Sequence, residues 1–409
     1  MSILSDDERV VITGLGCVSA HGVGVRPFWN QVVEGHSAIA PTTRAQAGHS
    51  ITVPAAPVTE FQLQHHIKTP QQPLLDPFSQ YALVAAHEAI NDAAWDLTQL
   101  PRSEVAVILG STSGGEASRE NEAVRFFYQG KKRCNPALVT RTNHQAVVCG
   151  ISMHFGFTGP AFVVHTGCAS GTHAIAQAYL MLRHGQARYA VTGGAEACVM
   201  FSTLVAFQAM GVLATDTCRP FSSGRTGMAL GEGAGVITLE TLAAARERHA
   251  PIYAELAGIG MSADASDPVN PVVHGPIKAM QLALDRAGLK PKQVDYINAH
   301  GTGTQSNDQV ENEAIKQLFD AHATHLAVSS TKASHGHALG ASGGFELIAT
   351  VLSLQEGLLP PTANFTAPDP KCDLDYIPNH SREQRISVAL SNSFALGGLN
   401  AVLAVTSVR

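Results

Sequence analysis

The chain has 409 residues, of which 45% are apolar and 15% charged, and its formal net charge is −6. One domain per roughly 150 residues predicts two or three compact units, and this apolar share argues against disorder. The negative balance disfavours whole-surface binding to nucleic acid or to an anionic membrane. No stretch reaches the ~18 uninterrupted apolar residues of a spanning helix. The start MSILSDDERV is acidic where a secretory leader is basic, so a cytoplasmic protein without membrane insertion is expected.

The predicted elements alternate. A short β-branched run at 10–13 ends in Gly14-Leu15-Gly16, and a second at 104–109 leads into Gly110-Ser111-Thr112-Ser113-Gly114-Gly115. The polar, proline-containing stretch 41–77 reads as a surface excursion. A third strand is predicted at 161–165. The spacing then predicts a helix over about 171–183, with Ile175, Ala178, Tyr179 and Leu182 on one face. Further strands are predicted at 235–240, 252–258, 294–298, 326–330, 386–391 and 400–406, with helices at about 276–287, 308–319 and 343–356. This alternation is the pattern of an α/β fold with covered sheets. A charged helix end meets a proline at 246–251, which divides the chain into halves 1–250 and 251–409. Glycine clusters at 193–194, 231–235, 301–303, 340–344 and 397–398 punctuate strand ends, where α/β folds place their sites.

Seven cysteines, an odd count with no C-x-x-C pair, argue against both a disulfide scaffold and a thiolate zinc site. Cys168 stands apart. The run Val163-Val164-His165-Thr166-Gly167-Cys168-Ala169-Ser170-Gly171 places it on a tight turn between a strand and a helix. Free N–H groups at the helix start would depress its pKa and could stabilise an oxyanion. A structural cysteine in a tight turn fits the same residues.

Two of the 19 histidines follow strands in glycine-rich loops: His300, in Asn298-Ala299-His300-Gly301-Thr302-Gly303-Thr304, and His337, in His335-Gly336-His337. A neutral imidazole there could donate a hydrogen bond to an enolate oxygen or move a proton. His335-Gly336-His337 lacks a carboxylate or thiolate at ligand spacing, so no metal is expected. Gly340-Ala341-Ser342-Gly343-Gly344 formally fits the hydrolase pattern G-x-S-x-G. A nucleophile elbow needs a strand immediately before it, so Ser342 is a remote alternative. Gly14-Leu15-Gly16 lacks the third glycine of a dinucleotide fingerprint.

Together, Thr166-Gly167-Cys168-Ala169-Ser170, the His300 loop, Ser330-Thr331-Lys332 and Gly336-His337 resemble the β-ketoacyl-[acyl-carrier-protein] synthases, in particular their elongating I/II branch. The resemblance spans essentially the whole chain, through Gly193-Gly194-Ala195-Glu196, Arg219-Pro220-Phe221 and Leu230-Gly231-Glu232-Gly233-Ala234-Gly235 to Ser391-Asn392-Ser393-Phe394. It implies a thiolase-like fold, two similar halves in five αβαβα layers. It also implies decarboxylative Claisen condensation with Cys168 as the acylated nucleophile, and His300 and His337 stabilising the malonyl enolate. Lys332 would order the site with Glu346. Backbone N–H groups of Cys168 and Leu396 would form the oxyanion hole. Thr302 and Thr304 would hydrogen-bond the phosphopantetheine arm, with Phe394 and Leu396 also facing substrate. No cofactor of its own is implied, since phosphopantetheine rides on an acyl carrier protein. The partners implied are that carrier and a second subunit, either a copy or a chain-length-factor-like chain.

The Cys-His-His set differs from the Cys-His-Asn of starter-type synthases, and Cys372 in Pro370-Lys371-Cys372-Asp373 does not fit the second cysteine of thiolases. Chain-length factors lack the nucleophile. Against the usual S-F-G-F-G-G-T-N, this chain has Ser393-Phe394-Ala395-Leu396-Gly397-Gly398-Leu399-Asn400, a smaller gate on a stiffer hinge. The run Gly224-Arg225-Thr226-Gly227-Met228 is also altered. The basic surface for an acidic carrier is thin around 68–76, with Lys131-Lys132-Arg133 as a replacement. These departures point to a specialised pathway of the aryl polyene, polyketide or nodulation type, with housekeeping fatty acid elongation as the alternative.

Overall fold

A computed structural model describes residues 5–408. The first four residues of the acidic start therefore lie outside the described residues, as does Arg409. Ten strands carry the architecture: β1 (Val10–Ser19), β2 (Val105–Gly110), β3 (Ala161–Val164), β4 (Tyr189–Glu196), β5 (Gly233–Thr241), β6 (Ala254–Ala263), β7 (Tyr296–Asn298), β8 (Ala327–Ser329), β9 (Val388–Ala395) and β10 (Leu399–Thr406). They run in the order β8-β7-β9-β10-β6-β1-β5-β4-β2-β3.

This order is one pattern used twice. β2 is parallel to β3 and β4, while β5 is antiparallel to β4 and β1. Five strands later, β7 is parallel to β8 and β9, while β10 is antiparallel to β9 and β6. The two five-stranded units touch edge to edge at Val11 and Ile12, opposite Glu255 and Ala254.

The helices repeat in the same way: α1 (Pro77–Asp92), α2 (Ala146–Phe155) and α3 (Ser170–Arg183), then α4 (His274–Ala287), α5 (Gln305–Phe319) and α6 (Ser342–Glu356). α1 and α2 cover the outer face of the first unit, and α4 and α5 that of the second. α3 and α6 pack on each other and on strands of both units, which makes five αβαβα layers. The predicted face of α3 is buried: Ile175 and Tyr179 join Phe345, Ile348 and Val351 of α6 and Ile12, Leu256 and Leu403 of the sheets. Each such side chain contributes about 1.5–3 kcal/mol on burial. The central layer holds the two halves together, and Cys168 stands at the N-terminus of its helix α3.

Gly14 and Gly16 do not form a turn. β1 continues through them, because a Cβ at Gly14 would lie 2.1 Å from the Ala89 carbonyl oxygen and one at Gly16 1.9 Å from that of Ala85. These glycines let α1 lie on the strand. The stretch 41–77 is also more than a surface excursion. Ala40–Gln46 and His49–Ala56 form a hairpin whose Ile51, Val53 and Ala55 pack with Met228, Leu230 and Leu339 in a cluster that borders Cys168. β4, α1 and α2 carry no clear amphipathic signal. All eight residues of β4 are buried, and α1 and α2 are apolar on more than one face. The strand predicted at 386–391 extends to Ala395, which carries Phe394 to the site.

Candidate active site

The chemistry-bearing loops lie at the carboxyl ends of strands in both units, as expected for this class of sheet. Cys168 sits between β3 and the first residue of α3. Gly167 adopts φ 57°, which bends the chain. The Ala169 and Ser170 amides donate to the Thr166 and Gly167 carbonyls at 3.3 and 3.0 Å, and Ser170 Oγ donates to the Gly167 carbonyl at 2.6 Å.

The Cys168 thiol is not depressed as the helix-start argument predicts. Burial pushes it up, to about 11, and outweighs the Leu396 and Cys168 backbone N–H groups that reach the sulfur and the charge of Lys332. Those two N–H groups are the donors expected for an oxyanion hole. The raised thiol gives a direct expectation. Iodoacetamide alkylation of Cys168, followed by peptide mass spectrometry, should accelerate about tenfold per pH unit from neutral to mildly alkaline buffer, without a plateau. A plateau near neutrality would contradict the environment described.

His300 and His337 come from the second unit and are 2% and 1% exposed. Their ring centroids lie 5.4 Å apart at 84°. Lys332, at the start of the short helix Lys332–His335, is fully buried. Its ammonium donates to the His300 carbonyl at 2.6 Å, lies 3.3 Å from His300 Nδ1 and pairs with the carboxylate of Glu346, on α6. An ammonium has no acceptor, so His300 Nδ1 is the bare nitrogen and Nε2 carries the proton. Burial, then the Lys332 charge, holds both imidazoles well below their usual pKa, hence neutral. His337 Nδ1 lies 3.0 Å from Ser342 Oγ, and its Nε2 is buried with no partner among the described residues.

Sequence reasoning missed Glu311. Its carboxylate, fully buried on α5, accepts from the His300 and Gly301 amides at 2.8 Å each and from Asn392 Nδ2 at 3.2 Å. The signal was available: Asp308, Glu311 and Asn312 place three polar residues at i, i+3 and i+4 on the buried stripe of the helix.

Cys168, His300, His337, Thr302, Thr304 and Phe394 line one open cleft, with Leu396 at its mouth, half exposed. The Thr302 and Thr304 hydroxyls stand 2.9 Å apart. Ser342 does not form a nucleophile elbow. It is fully buried beneath His337 and follows the 3₁₀ turn Leu339–Ala341 rather than a strand. His335 turns away from the cleft to pack with Phe28 and Phe345, and its Nε2 meets Thr331 Oγ1 at 3.1 Å. Cys372 is buried elsewhere, 3.6 Å from an Arg225 nitrogen.

A doubled five-strand frame with a cysteine at the head of one central helix, one neutral histidine just before the other and a second in the loop after β7 defines the class: a condensing enzyme of the thiolase fold. The chain belongs to the β-ketoacyl synthase family. Residues 7–245 match the family Beta-ketoacyl synthase, N-terminal domain, and residues 253–366 match Beta-ketoacyl synthase, C-terminal domain. It is 44% identical to Nodulation protein E of Rhizobium sp. (strain N33), over 98% of this chain and 100% of that protein. It is 38% identical to 3-oxoacyl-[acyl-carrier-protein] synthase 2 of Staphylococcus aureus (strain COL), over 98% of each. Among solved structures it is similar to the ishigamide ketosynthase/chain length factor, with a TM-score of 0.93 and 32% identity over 98% of this chain and 100% of that one.

Proposed function

We propose that the protein extends an acyl chain by two carbons on an acyl carrier protein, in a specialised pathway. Cys168 takes the acyl group from the carrier thioester, so the carrier thiol leaves and a cysteine thioester forms. Malonyl carrier protein then loses CO₂, and its carbanion attacks the Cys168 thioester. Cys168 leaves as the thiolate and takes a proton from solvent, which restores the thiol, and the β-ketoacyl carrier protein departs. In this reading the half 1–250 supplies the nucleophile and the half 251–409 both histidines. His300 and His337 hold the malonyl thioester oxygen as it becomes an enolate. Lys332 and Glu346 fix the charge behind them. The Cys168 and Leu396 amides receive the oxyanion of the attack on the acyl-enzyme. Thr302 and Thr304 grip the carrier's phosphopantetheine arm, and Phe394 and Leu396 border the entering chain.

The observation that carries this reading is the convergence in one cleft of a cysteine at two backbone donors with two neutral imidazoles. The stronger likeness to Nodulation protein E than to the Staphylococcus aureus synthase supports the specialised branch. The likeness to a ketosynthase/chain length factor supports a partner subunit of that kind or a second copy. Among the described residues no helix is long and apolar enough to cross a membrane, and we place the enzyme in the cytoplasm with its carriers.

The test is peptide-resolved mass spectrometry of Cys168 after incubation with carrier proteins bearing saturated, unsaturated or aryl-polyenoyl chains. Preferential loading by unsaturated or aryl chains is expected. Loading by saturated medium chains alone would place the protein in housekeeping elongation instead. Leu396→Phe, which enlarges the residue at the mouth, should shift the profile toward saturated chains. An unchanged profile would remove Leu396 as a selectivity residue.

A further inference from the structure

Glu196 ends β4 and is fully buried, yet among the described residues its hydrogen-bond partners are all neutral. Its carboxylate accepts from the Thr112 amide at 2.8 Å, the Ser113 amide at 3.0 Å and the Gly340 amide at 3.2 Å, with Ser111 Oγ at 3.5 Å. A buried carboxylate without a cation is costly unless its oxygens are filled by donors, so these contacts are under strong constraint.

Those donors belong to opposite sides of the site. Thr112 supports the nucleophile turn, because its hydroxyl donates to the Gly167 carbonyl at 2.8 Å, one residue before Cys168. Gly340 lies in the 3₁₀ turn between His337 and Ser342, the residue whose hydroxyl meets the His337 ring. The backbones are in direct apposition. A Cβ on Gly340 would lie 2.7 Å from the Thr112 nitrogen and 2.9 Å from Glu196 Oε2, and one on Gly194 would lie 2.2 Å from the Gly340 oxygen. Glu196 is therefore the side chain through which the first unit's nucleophile loop and the second unit's histidine loop are held in one register.

We infer that Glu196 is a positioning residue that joins the two halves of the site. A carboxylate also disfavours the thiolate of a nearby thiol. Glu196 opposes the Lys332 charge at Cys168 in this sense. Burial in turn raises the Glu196 carboxyl to about 7, against the pull of its amide donors. The inference rests on the condensing-enzyme reading for its kinetic arm but not for its alkylation arm.

Glu196→Gln keeps the size and removes the charge, but it must turn an NH₂ toward a backbone N–H and so lose one of the three amide contacts. Two readouts are then expected to move in opposite directions. Iodoacetamide alkylation of Cys168 should quicken at a fixed pH well above 7, where the Glu196 carboxylate of the wild type is charged. The kcat for condensation should fall about 10²-fold, the cost of a misplacement of about 1 Å, with the KM for malonyl carrier protein little changed. Glu196→Asp keeps the charge and shortens the reach, so alkylation should stay slow while kcat falls. It also serves if the glutamine variant does not fold. Alkylation and kcat falling together in Glu196→Gln, or neither changing, would overturn the inference. If wild type alkylates but never loads an acyl group, the functional reading fails instead, and the alkylation comparison still tests the charge.

Discussion

Replacing Cys168 with alanine is expected to abolish acyl-enzyme formation and condensation together while leaving the protein folded. The fold should survive because the turn is held by neighbours: the Ala169 and Ser170 amides and Ser170 Oγ satisfy the Thr166 and Gly167 carbonyls without the sulfur. Loss of the one sulfur costs about 1 kcal/mol, within the reserve of a domain this size. Activity should not survive, because among the described residues no other thiol lines the cleft. Ser342 lies fully buried under His337, and Cys198 is buried with its Sγ donating to the Gly231 carbonyl. Cys372 packs against Arg225. The measurement is intact-protein and peptide mass spectrometry after exposure to acyl carrier protein, with a product assay alongside. A retained acyl adduct on any other residue would refute the assignment of the nucleophile.

Much of this site was legible in the sequence because each part lies in a short run with its own physical logic. A cysteine flanked by small residues between a β-branched run and a helix announces an exposed sulfur at a helix start. Glycine loops after strands mark where backbone must pass close to a ligand. What the sequence could not give was the balance of terms. The helix-start donors at Cys168 are present, but burial exceeds them, so the thiol rises to about 11 where local reasoning expects it to fall. Periodicity fails at α1, α2 and β4 because those elements are buried on more than one face and show no polar stripe to count. Gly14 and Gly16 end the β-branched run in the sequence, yet glycine permits a close approach as well as a break, and only α1 lying on the strand shows that the strand continues through them. Glu196 is a long-range device, with partners 84 and 144 residues away.

The two histidines are expected to separate from the cysteine in kinetics. His300→Ala and His337→Ala should each leave Cys168 loading nearly intact while lowering malonyl decarboxylation about 10²–10³-fold, the usual loss for one oxyanion donor. The separation follows from the hydrogen bonds. Lys332 occupies His300 Nδ1, so that ring can offer only Nε2–H to a ligand. The Ser342 hydroxyl faces His337 Nδ1, and by donating there it leaves the unpartnered Nε2 of His337 as the second N–H. Burial and the Lys332 charge keep both rings neutral, so in the proposed reaction they would polarise the malonyl carbonyl as fixed dipoles and need not move a proton to do it. In the proposed reaction, acyl loading would use the backbone donors of Cys168 and Leu396 and would not require either imidazole. His337→Gln restores a side-chain N–H at roughly the same reach and should recover part of the decarboxylation that alanine loses. Release of ¹⁴CO₂ from carboxyl-labelled malonyl carrier protein measures the first effect, and mass spectrometry of Cys168 measures the second. Normal decarboxylation in both alanine variants, or loading lost in step with it, would show that the imidazoles do not act on the malonyl oxygen.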